Sequence, residues 1–279
     1  MRRGFQISIA IIAALAVILA YGYGQTYALR VTDDTVVSDQ LPPGFSGAKI
    51  VFAADFHCGI FFGKGRMDEV VQKIDSLDPD IVILGGDYIE SGSNYINTCF
   101  NALGKLKARL GVYAIMGNRD YQDGMAGDIR QAMADQNIKL LENSGVWIGQ
   151  NLSADDLTSG RIRIGGIADI LRSNPNLEGA LGGAATSDFT ILVAHNPAFR
   201  QIADPRIDLA LAGHTHGGQI TLFGLPLSPT LWGQKYVSGL YKKDRTTIIV
   251  SNGIGTRLVP IRLFAQPEIN LITLQGKKS

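Results

Sequence analysis

The chain has 279 residues, with 26 Lys and Arg against 25 Asp and Glu, and a net charge of +1. A chain of this length can bury a large core in one domain, and its near-neutral charge gives no electrostatic basis for a nucleic-acid groove, so nucleic acid is not an expected partner. Cys58 and Cys99 are too few for a disulfide scaffold and lack the spacing of a zinc knuckle.

The N-terminal segment, residues 1–24, is predicted to be a membrane anchor. Arg2 and Arg3 precede an apolar run from Gly4 to Gly24, which as a helix rising about 1.5 Å per residue would match a hydrocarbon core of about 30 Å. A cleaved signal peptide and a buried core helix are the alternatives, disfavoured by the lack of a small-x-small cleavage site and of a polar face. The positive-inside rule predicts an inner-membrane anchor with the rest of the chain outside the cytoplasm.

Residues 25–47 are mixed and polar, which is typical of a linker or an edge strand. Beyond them, short runs rich in Val and Ile alternate with segments whose apolar residues recur at helical spacing. The predicted strands are 49–54, 80–85 and 111–116, and the predicted helices are 66–77 and 96–109. This alternation predicts a layered α/β domain.

After Lys139 the segments become shorter and more strand-like, with predicted strands at 161–167, 189–194, 209–212, 246–250 and 269–274. We expect them to form a second sheet against the first. The predicted fold class is α/β, with two packed mixed β-sheets flanked by helices and an N-terminal membrane helix. Because no repeat or long linker divides residues 48–275, we predict that they form one domain.

Polar residues gather at the ends of the predicted strands, where an α/β sheet places its ligands. Asp55 and His57, if the chain is extended there, point to the same side and can hold one ion. His214 and His216 can do the same, or serve two ions if the loop turns between them. The full set, which includes all 4 histidines, is Asp55, His57, Asp87, Asn118, Arg119, Asp120, His195, His214 and His216.

This mixture of carboxylate, imidazole and amide ligands suits Mn, Fe, Zn, Co or Ni better than Ca or Mg. Two such ions about 3.5–4 Å apart would clamp the attacking and leaving oxygens of a displacement at phosphorus, with Asp87 as the natural bridge. Each motif alone has an ordinary explanation as a turn or a hydrogen-bonded loop. The Gly-His-Thr-His-Gly sequence at 213–217 is the least ordinary, because two histidines flanked by glycines gain nothing as core residues.

In this order the motifs resemble the five-block signature of calcineurin-like metallophosphoesterases, over about residues 48–275, and Gly-His-Thr-His-Gly-Gly-Gln, Pro260-Ile-Arg and Pro267-Glu-Ile resemble its bacterial membrane-associated branch. The resemblance implies a metallophosphoesterase-type α/β sandwich, two divalent metal ions (Mn first, with Fe, Zn, Co or Ni as alternatives) and attack on phosphorus by a hydroxide that bridges them. The implied ligands of the first metal are Asp55, His57, Asp87 and His216, and those of the second are Asp87, Asn118, His195 and His214.

Arg119 stands where most members of that superfamily have His, and a guanidinium cannot donate a proton at neutral pH. Arg119 could instead bind phosphate oxygens, with Asp120 orienting it, which suits a good leaving group such as a phosphate released from a pyrophosphate. The same Gly-Asn-Arg-Asp sequence occurs in the UDP-diacylglucosamine pyrophosphatases of lipid A synthesis, which act on a lipid at the membrane.

Apolar residues in predicted loops at 61–62, 222–227 and 231–232 could line a groove for acyl chains or pack over the sheet edge. The predicted function is hydrolysis of a phosphodiester or pyrophosphate bond in a phosphate-containing lipid or nucleotide-lipid substrate. The alternatives are UDP-diacylglucosamine pyrophosphatase specifically, a catalytically weak metal-binding scaffold, and a nuclease, which the near-neutral charge disfavours. A cytoplasmic nucleotide-lipid conflicts with the outward orientation unless the helix is interfacial.

Overall fold

The computed structural model describes residues 2–149, 160–222, 224–228 and 231–277. The α-helices in these ranges are α1 (Arg2–Gln25), α2 (Lys64–Asp75), α3 (Ile96–Leu103), α4 (Ala126–Asp135) and α5 (Leu177–Leu181). Short 3-10 helices lie at Pro43–Phe45, Ser93–Tyr95, Gln122–Gly124 and His216–Gly218. Phe223, which belongs to one of the apolar loops considered above, lies outside the described residues.

The strands form two large sheets and one short hairpin. They are β1 (Arg30–Ser38), β2 (Lys49–Ala53), β3 (Ile81–Leu84), β4 (Val112–Ala114), β5 (Lys139–Leu140), β6 (Ser144–Gly149), β7 (Arg161–Gly166), β8 (Phe189–Val193), β9 (Leu209–Ala212), β10 (Thr221–Leu222), β11 (Leu225–Pro226), β12 (Gly239–Lys243), β13 (Thr246–Val250) and β14 (Glu268–Gly276). The first sheet has the order β1-β14-β2-β3-β4-β5 and the second β12-β13-β9-β8-β7-β6. Both mix parallel and antiparallel pairs, which confirms the predicted fold class.

Two sequence predictions about these elements are wrong. The strand predicted at 269–274 was expected in the second sheet, but β14 lies in the first, parallel to β1 and antiparallel to β2. An apolar run indicates that a strand is buried, but it does not indicate which strand it pairs with. The helix predicted at 96–109 ends at Leu103, because Gly104, a residue of low helix propensity, follows it and residues 105–111 form turns and loop before β4.

The core lies in layers on both sides of the first sheet. Ile50 and Phe52 of β2 pack against the second sheet, while Val51 and Ala53 pack against the helices on the opposite face. All four side chains are completely buried, as expected for a strand covered on both faces, where the usual alternation of polar and apolar residues is lost. This packing fixes the loops that follow β2, β3 and β4 at one edge of the sandwich.

Helix α1 stands apart from this core. By length and composition it could cross a membrane, and its most apolar stretch is 0% buried within the chain. Its last turns contact the domain, where the Gly22 carbonyl accepts a hydrogen bond of 2.9 Å from the Arg262 N–H. β1 follows as the outermost strand of the first sheet, within the stretch for which the sequence suggests a linker or an edge strand.

Candidate metal centre

The loops after β2, β3 and β4 meet the loops after β8 and β9 at one edge of the two sheets. Six of the seven predicted ligands form two groups there, in each of which the ligand atoms lie within 4.8 Å of one another. Together with Asn118 these groups are called the ligand cluster. The groups are Asp55, His57 and His216, and Asp87, His195 and His214.

In the first group two imidazoles face each other. The Nε2 atoms of His57 and His216 lie 3.0 Å apart, and Nε2 of His216 lies 3.8 Å from Oδ1 of Asp55. All three residues are buried. Facing nitrogens beside a buried carboxylate are the arrangement that a shared cation would satisfy.

Asp87 links the two groups. Its Oδ2 lies 3.4 Å from Nε2 of His195 and 3.6 Å from Nε2 of His57. His214 completes the second group, with Nδ1 3.3 Å from Nε2 of His195. Oδ1 of Asn118 is buried without a hydrogen-bond partner among the described residues, a condition that a bound cation would relieve. The donor set therefore fits a pair of divalent ions.

The backbone at the ligand cluster is turned rather than extended. Non-glycine residues rarely adopt positive φ, although Asp and His do so more often than most. The argument that Asp55 and His57 share a side because their segment is extended is therefore wrong, although both residues do reach the first group. Five ligands have positive φ: Asp55 (55°), His57 (48°), Asp87 (54°), His214 (72°) and His216 (54°).

Hydrogen bonds from the backbone hold two of these turns. The His214 N–H lies 3.0 Å from both carboxylate oxygens of Asp55, and the Arg119 N–H donates to Oδ1 of Asp87 at 2.8 Å. Each left-handed residue costs about 1–3 kcal/mol, so surrounding contacts must impose the conformation. These bonds hold the carboxylates that follow β2 and β3 of the first sheet at the ligand cluster.

The Nδ1 atoms of two histidines also have close polar neighbours. Nδ1 of His195 lies 2.8 Å from the Gly85 carbonyl, and Nδ1 of His57 lies 2.6 Å from Oε2 of Glu90. Such outer partners fix the ring and leave Nε2 free for a cation. The sequence analysis missed Glu90, whose other oxygen accepts the Leu258 N–H at 3.2 Å. Its only sequence signal is its position three residues after Asp87.

Arg262 was also missed as a site residue. It is completely buried behind His216, with Nη2 3.5 Å from the His216 Nδ1. Its guanidinium donates to backbone carbonyls at 2.8 Å from Asn252 and Ala265 and at 2.6 Å from Gly255. Burial lowers the pKa of Arg262 to about 10, which leaves it charged at neutral pH. Arg262 thus ties three loop segments together under the first group.

Burial and the charges of neighbouring ligands together set the charge states in the cluster. It lowers the pKa of His214 to about 3 and lowers that of His216, so both imidazoles are neutral, the form that binds metals. It raises the pKa of Asp55 to about 6. For Asp87 burial acts in the same upward direction, but the charge of the neighbouring His195 outweighs it and lowers the pKa.

Arg119 lies at the mouth of the cluster. Its Nη1 donates to Gln122 Oε1 at 2.8 Å, and its Nη2 lies 4.0 Å from Glu90 Oε1. With His57 and Glu90 it lines a cavity of about 360 Å³ that also includes Phe61. A fixed guanidinium beside the ligands can bind phosphate oxygens.

Asp120 has other partners than the sequence suggested. Its carboxylate accepts backbone N–H bonds from Asp87 and Tyr88, each at 2.9 Å, and from Gly117 at 2.8 Å. Among the described residues, the side chains that meet the Arg119 guanidinium belong to Gln122 and Glu90. The expected role of Asp120 in orienting Arg119 is therefore corrected: Asp120 holds the turn that presents Asp87.

A larger apolar cavity of about 470 Å³ opens on the other side of His214 and His216. The side chains of Leu227 and Leu258 in its lining are 53% and 74% exposed. Of the predicted apolar loop residues, Leu227 and Leu231 therefore border an open groove, whereas Phe62 is buried. The apolar lining consists of Ile220, Leu227, Leu231, Leu258 and Val259.

Comparison with known proteins gives a consistent result. The profile of the calcineurin-like phosphoesterase family matches residues 48–218. The metallophosphoesterase YkuE of Bacillus subtilis is 32% identical over 263 residues, which cover 92% of this chain and 90% of YkuE. A metallophosphoesterase of Aquifex aeolicus is 29% identical over 94% of this chain and 98% of its own length.

A longer relative comes from Bos taurus and is named a transmembrane protein with metallophosphoesterase domain. It is 34% identical over 260 residues. The alignment covers 88% of this chain and 57% of the bovine protein.

Proposed function

This chain belongs to the calcineurin-like phosphoesterase family, and on that basis we propose that it cleaves a phosphodiester or pyrophosphate bond in a lipid-linked substrate. Membership makes it a metal-dependent phosphoester hydrolase. The observation that carries the proposal is that Asp87 lies 3.6 Å from His57 and 3.4 Å from His195. His57 also lines the cavity that contains Arg119, and His214 and His216 line the apolar cavity.

The proposed ligands follow the two groups. Asn118 joins the second group because its Oδ1 is buried and unpartnered in the described part of the chain. Mn is the proposed ion, since mixed oxygen and imidazole donors suit the first-row metals. When bound, two such ions neutralise phosphoryl charge and lower the pKa of a water molecule. The assignment is Asp55, His57, Asp87 and His216 for one ion, and Asp87, Asn118, His195 and His214 for the other.

Arg119 is the proposed phosphate-binding residue. Its side chain is 13% exposed and is held by Gln122, so the guanidinium is already positioned when substrate arrives. A preorganised cation stabilises the charge that develops on the phosphoryl oxygens during displacement. Because Arg119 cannot protonate a leaving group, the site favours bonds whose leaving group is stable as an anion, such as a pyrophosphate.

The lipid part of the proposal rests on the apolar cavity. A phosphoester held at His214 and His216 would have Leu227, Leu258 and Val259 within the same cavity, and such a lining suits hydrocarbon chains. Helix α1 is the proposed membrane anchor, and the name of the bovine relative agrees with it. We propose an inner-membrane location with the domain outside the cytoplasm, from the charge bias of the first residues.

The test is release of UMP from UDP-diacylglucosamine by the full chain with Mn, beside a long-chain phosphodiester lipid and a soluble aryl phosphodiester. Asp87→Asn is the catalytic control, and Asp39→Asn, at an exposed position directly after β1, is the matched control. Cleavage of either lipid, lost in Asp87→Asn and retained in Asp39→Asn, would support the proposal.

The substrate that is cleaved separates the alternatives. UMP release would identify the pyrophosphatase and place the site on the cytoplasmic face, against the proposed orientation. Cleavage of the aryl diester alone would retain the phosphoesterase and refute the lipid substrate. Failure to cleave any of the three, with Mn bound, would favour the metal-binding scaffold.

A further inference from the structure

Exposed apolar side chains surround the mouth of the ligand cluster. All of them except Trp232 line one or both of the two cavities, which share Leu258. Trp232 is held against the same surface because its Nε1 donates to the Pro226 carbonyl at 3.0 Å. These six residues, called the apolar rim, are Ile60 (82% exposed), Phe61 (55%), Leu227 (53%), Trp232 (69%), Leu258 (74%) and Val259 (44%). A contiguous exposed patch of this kind marks an interaction site.

Helix α1 contacts the chain immediately after one part of the rim. Gly22 packs so closely that a Cβ added there would lie 2.6 Å from Cγ2 of Ile261. The Gly22 carbonyl also accepts the Arg262 N–H at 2.9 Å. Ile261 follows Val259 by two residues, so the helix lies directly beside the Leu258–Val259 segment of the rim.

The end of α1 also contacts the chain next to the other part of the rim. The Arg66 guanidinium donates to the Thr26 carbonyl at 2.8 Å and stacks over the Tyr27 ring at 4.4 Å. The same guanidinium lies 5.4 Å from the Phe62 ring. Since Phe62 follows Phe61, the helix exit is flanked by both segments.

The length of α1 indicates how deep in a bilayer its contacts with the domain would lie. At about 1.5 Å per residue, its 24 residues span more than a hydrocarbon core of about 30 Å. Gly22 lies three residues before the end of the helix, which is about 4.5 Å along its axis. When α1 is inserted, Ile261 therefore lies at the level of the lipid headgroups.

The backbone conformation at Leu258 exposes its side chain to solvent. Leu258 has a φ of 63°, and exposed Phe264, two residues after Arg262, has a φ of 55°. Left-handed backbone at bulky residues is uncommon and persists only where the surroundings impose it. The N–H of Leu258 is bonded to Glu90, so the exposed position is connected to the ligand cluster.

We propose that the apolar rim lies in the headgroup region of the membrane that α1 enters, with the mouth of the ligand cluster facing the bilayer surface. The occupant of the rim is lipid, because the rim is continuous with a helix whose apolar surface is otherwise uncovered. Lipid substrate would then reach the site without leaving the membrane. That last step rests on the proposed hydrolysis of a lipid-linked substrate, whereas the membrane contact rests only on α1 as the membrane anchor.

Tryptophan fluorescence can test the contact, because the chain has 2 Trp residues. Trp147 lies in β6, the last strand of the second sheet, 4.0 Å from the Arg161 guanidinium, and serves as the control. The full chain is placed in nanodiscs of phosphatidylethanolamine and phosphatidylglycerol, with acyl chains either plain or brominated near the glycerol. Trp147→Phe leaves Trp232 as the reporter, and Trp232→Phe leaves Trp147.

Bromine should lower the Trp232 emission by about half, as expected for a side chain near the acyl boundary, and should leave Trp147 unchanged. Val259→Asp in the Trp147→Phe protein should reduce the Trp232 quenching, and Val37→Asp, at an exposed valine of β1, should not. Absence of Trp232 quenching, equal quenching of both tryptophans, or no difference between the two Asp variants would overturn the proposal. Quenching without hydrolysis of any phosphoester would refute the proposed function and leave the membrane contact standing.

Discussion

The ligand cluster and the apolar rim each contain left-handed backbone, which in the rim is at Leu258, but they differ in what surrounds their side chains. Asp87 and Leu258 have φ values of 54° and 63°. Asp87 is 3% exposed and accepts a hydrogen bond from the Arg119 N–H. Leu258 is 74% exposed, so most of its surface is not covered by other residues. The side chains of the cluster are covered by protein, whereas those of the rim are left for a partner outside the chain to cover. Changes in the cluster should therefore affect every substrate, and changes in the rim only those that carry an apolar chain.

Asp87→Asn should produce the largest effect. The amide can still accept the Arg119 N–H, but the charge between the two groups is lost. Loss of several kcal/mol of transition-state stabilisation corresponds to a fall in kcat of about 10³-fold on lipid and soluble diesters alike. Steady-state kinetics at saturating Mn measures it. Loss of activity on only one substrate class would contradict the expectation that the ligand cluster serves every substrate.

Arg119→Ala should be next, with kcat lower by about 10²-fold on both substrate classes, because one preorganised charge is removed. Arg119→Lys should recover part of the loss, since it keeps a point charge without the planar fork. Arg109→Lys is the matched control, as Arg109 pairs with Asp80 before β3 begins, at the opposite edge of the sheet. Equal kcat for Arg119→Ala and wild type would remove Arg119 from the site.

Glu90→Gln should weaken Mn binding by about 10- to 100-fold, because the carboxylate that fixes the His57 ring is neutralised. Titration calorimetry and the Mn dependence of kcat both measure the change. Excess Mn should restore most of the activity, which distinguishes a positioning residue from a catalytic one. An unchanged Mn affinity would show that Glu90 does not act through His57.

Leu227→Ser at the rim should have the smallest effect. Loss of one apolar contact in an open cavity should lower kcat/KM for a long-chain lipid by about 10-fold, at the low end for hydrophobic pockets. The soluble aryl diester should be cleaved at nearly the wild-type rate. Val37→Ser provides the control at an exposed position outside both cavities. A parallel loss on both substrates would mean that Leu227 supports the cluster instead.

The sequence predicted which residues meet in the ligand cluster, but it did not predict the backbone conformation there. Asp, His and Asn after Val- and Ile-rich runs mark the edge of an α/β sheet, and the two groups contain six of the seven residues expected there. Asp87 lies 3.6 Å from His57 and 3.4 Å from His195, and its role as the bridging ligand stays a prediction. Which residues gather at this edge could be predicted without knowing their φ angles, because different loop conformations can bring the same strand ends to one edge of a sheet.

The features that the sequence did not predict depend on long-range contacts. Glu90 contacts His57 and Leu258, and Arg262 donates to the carbonyls of His216, Asn252 and Gly255. These contacts leave no local pattern in the sequence. Asp120 similarly bonds to backbone groups of the preceding loop instead of to its neighbour Arg119. Pairing of β14 with the first sheet also depends on tertiary structure, because apolar runs can pair with several strands.

The position of β14 has a consequence for biosynthesis. β1 pairs with β14, and Arg30 and Glu268 in that ladder are separated by 238 residues. At about 5–20 residues per second, translation makes β14 roughly 10–50 seconds after β1. Until then β1 has no partner and the edge of β2 is open, while α1 is already available for insertion. The nascent chain is thus expected to reach the membrane before its first sheet closes, an interval in which a chaperone would protect the open strand edges.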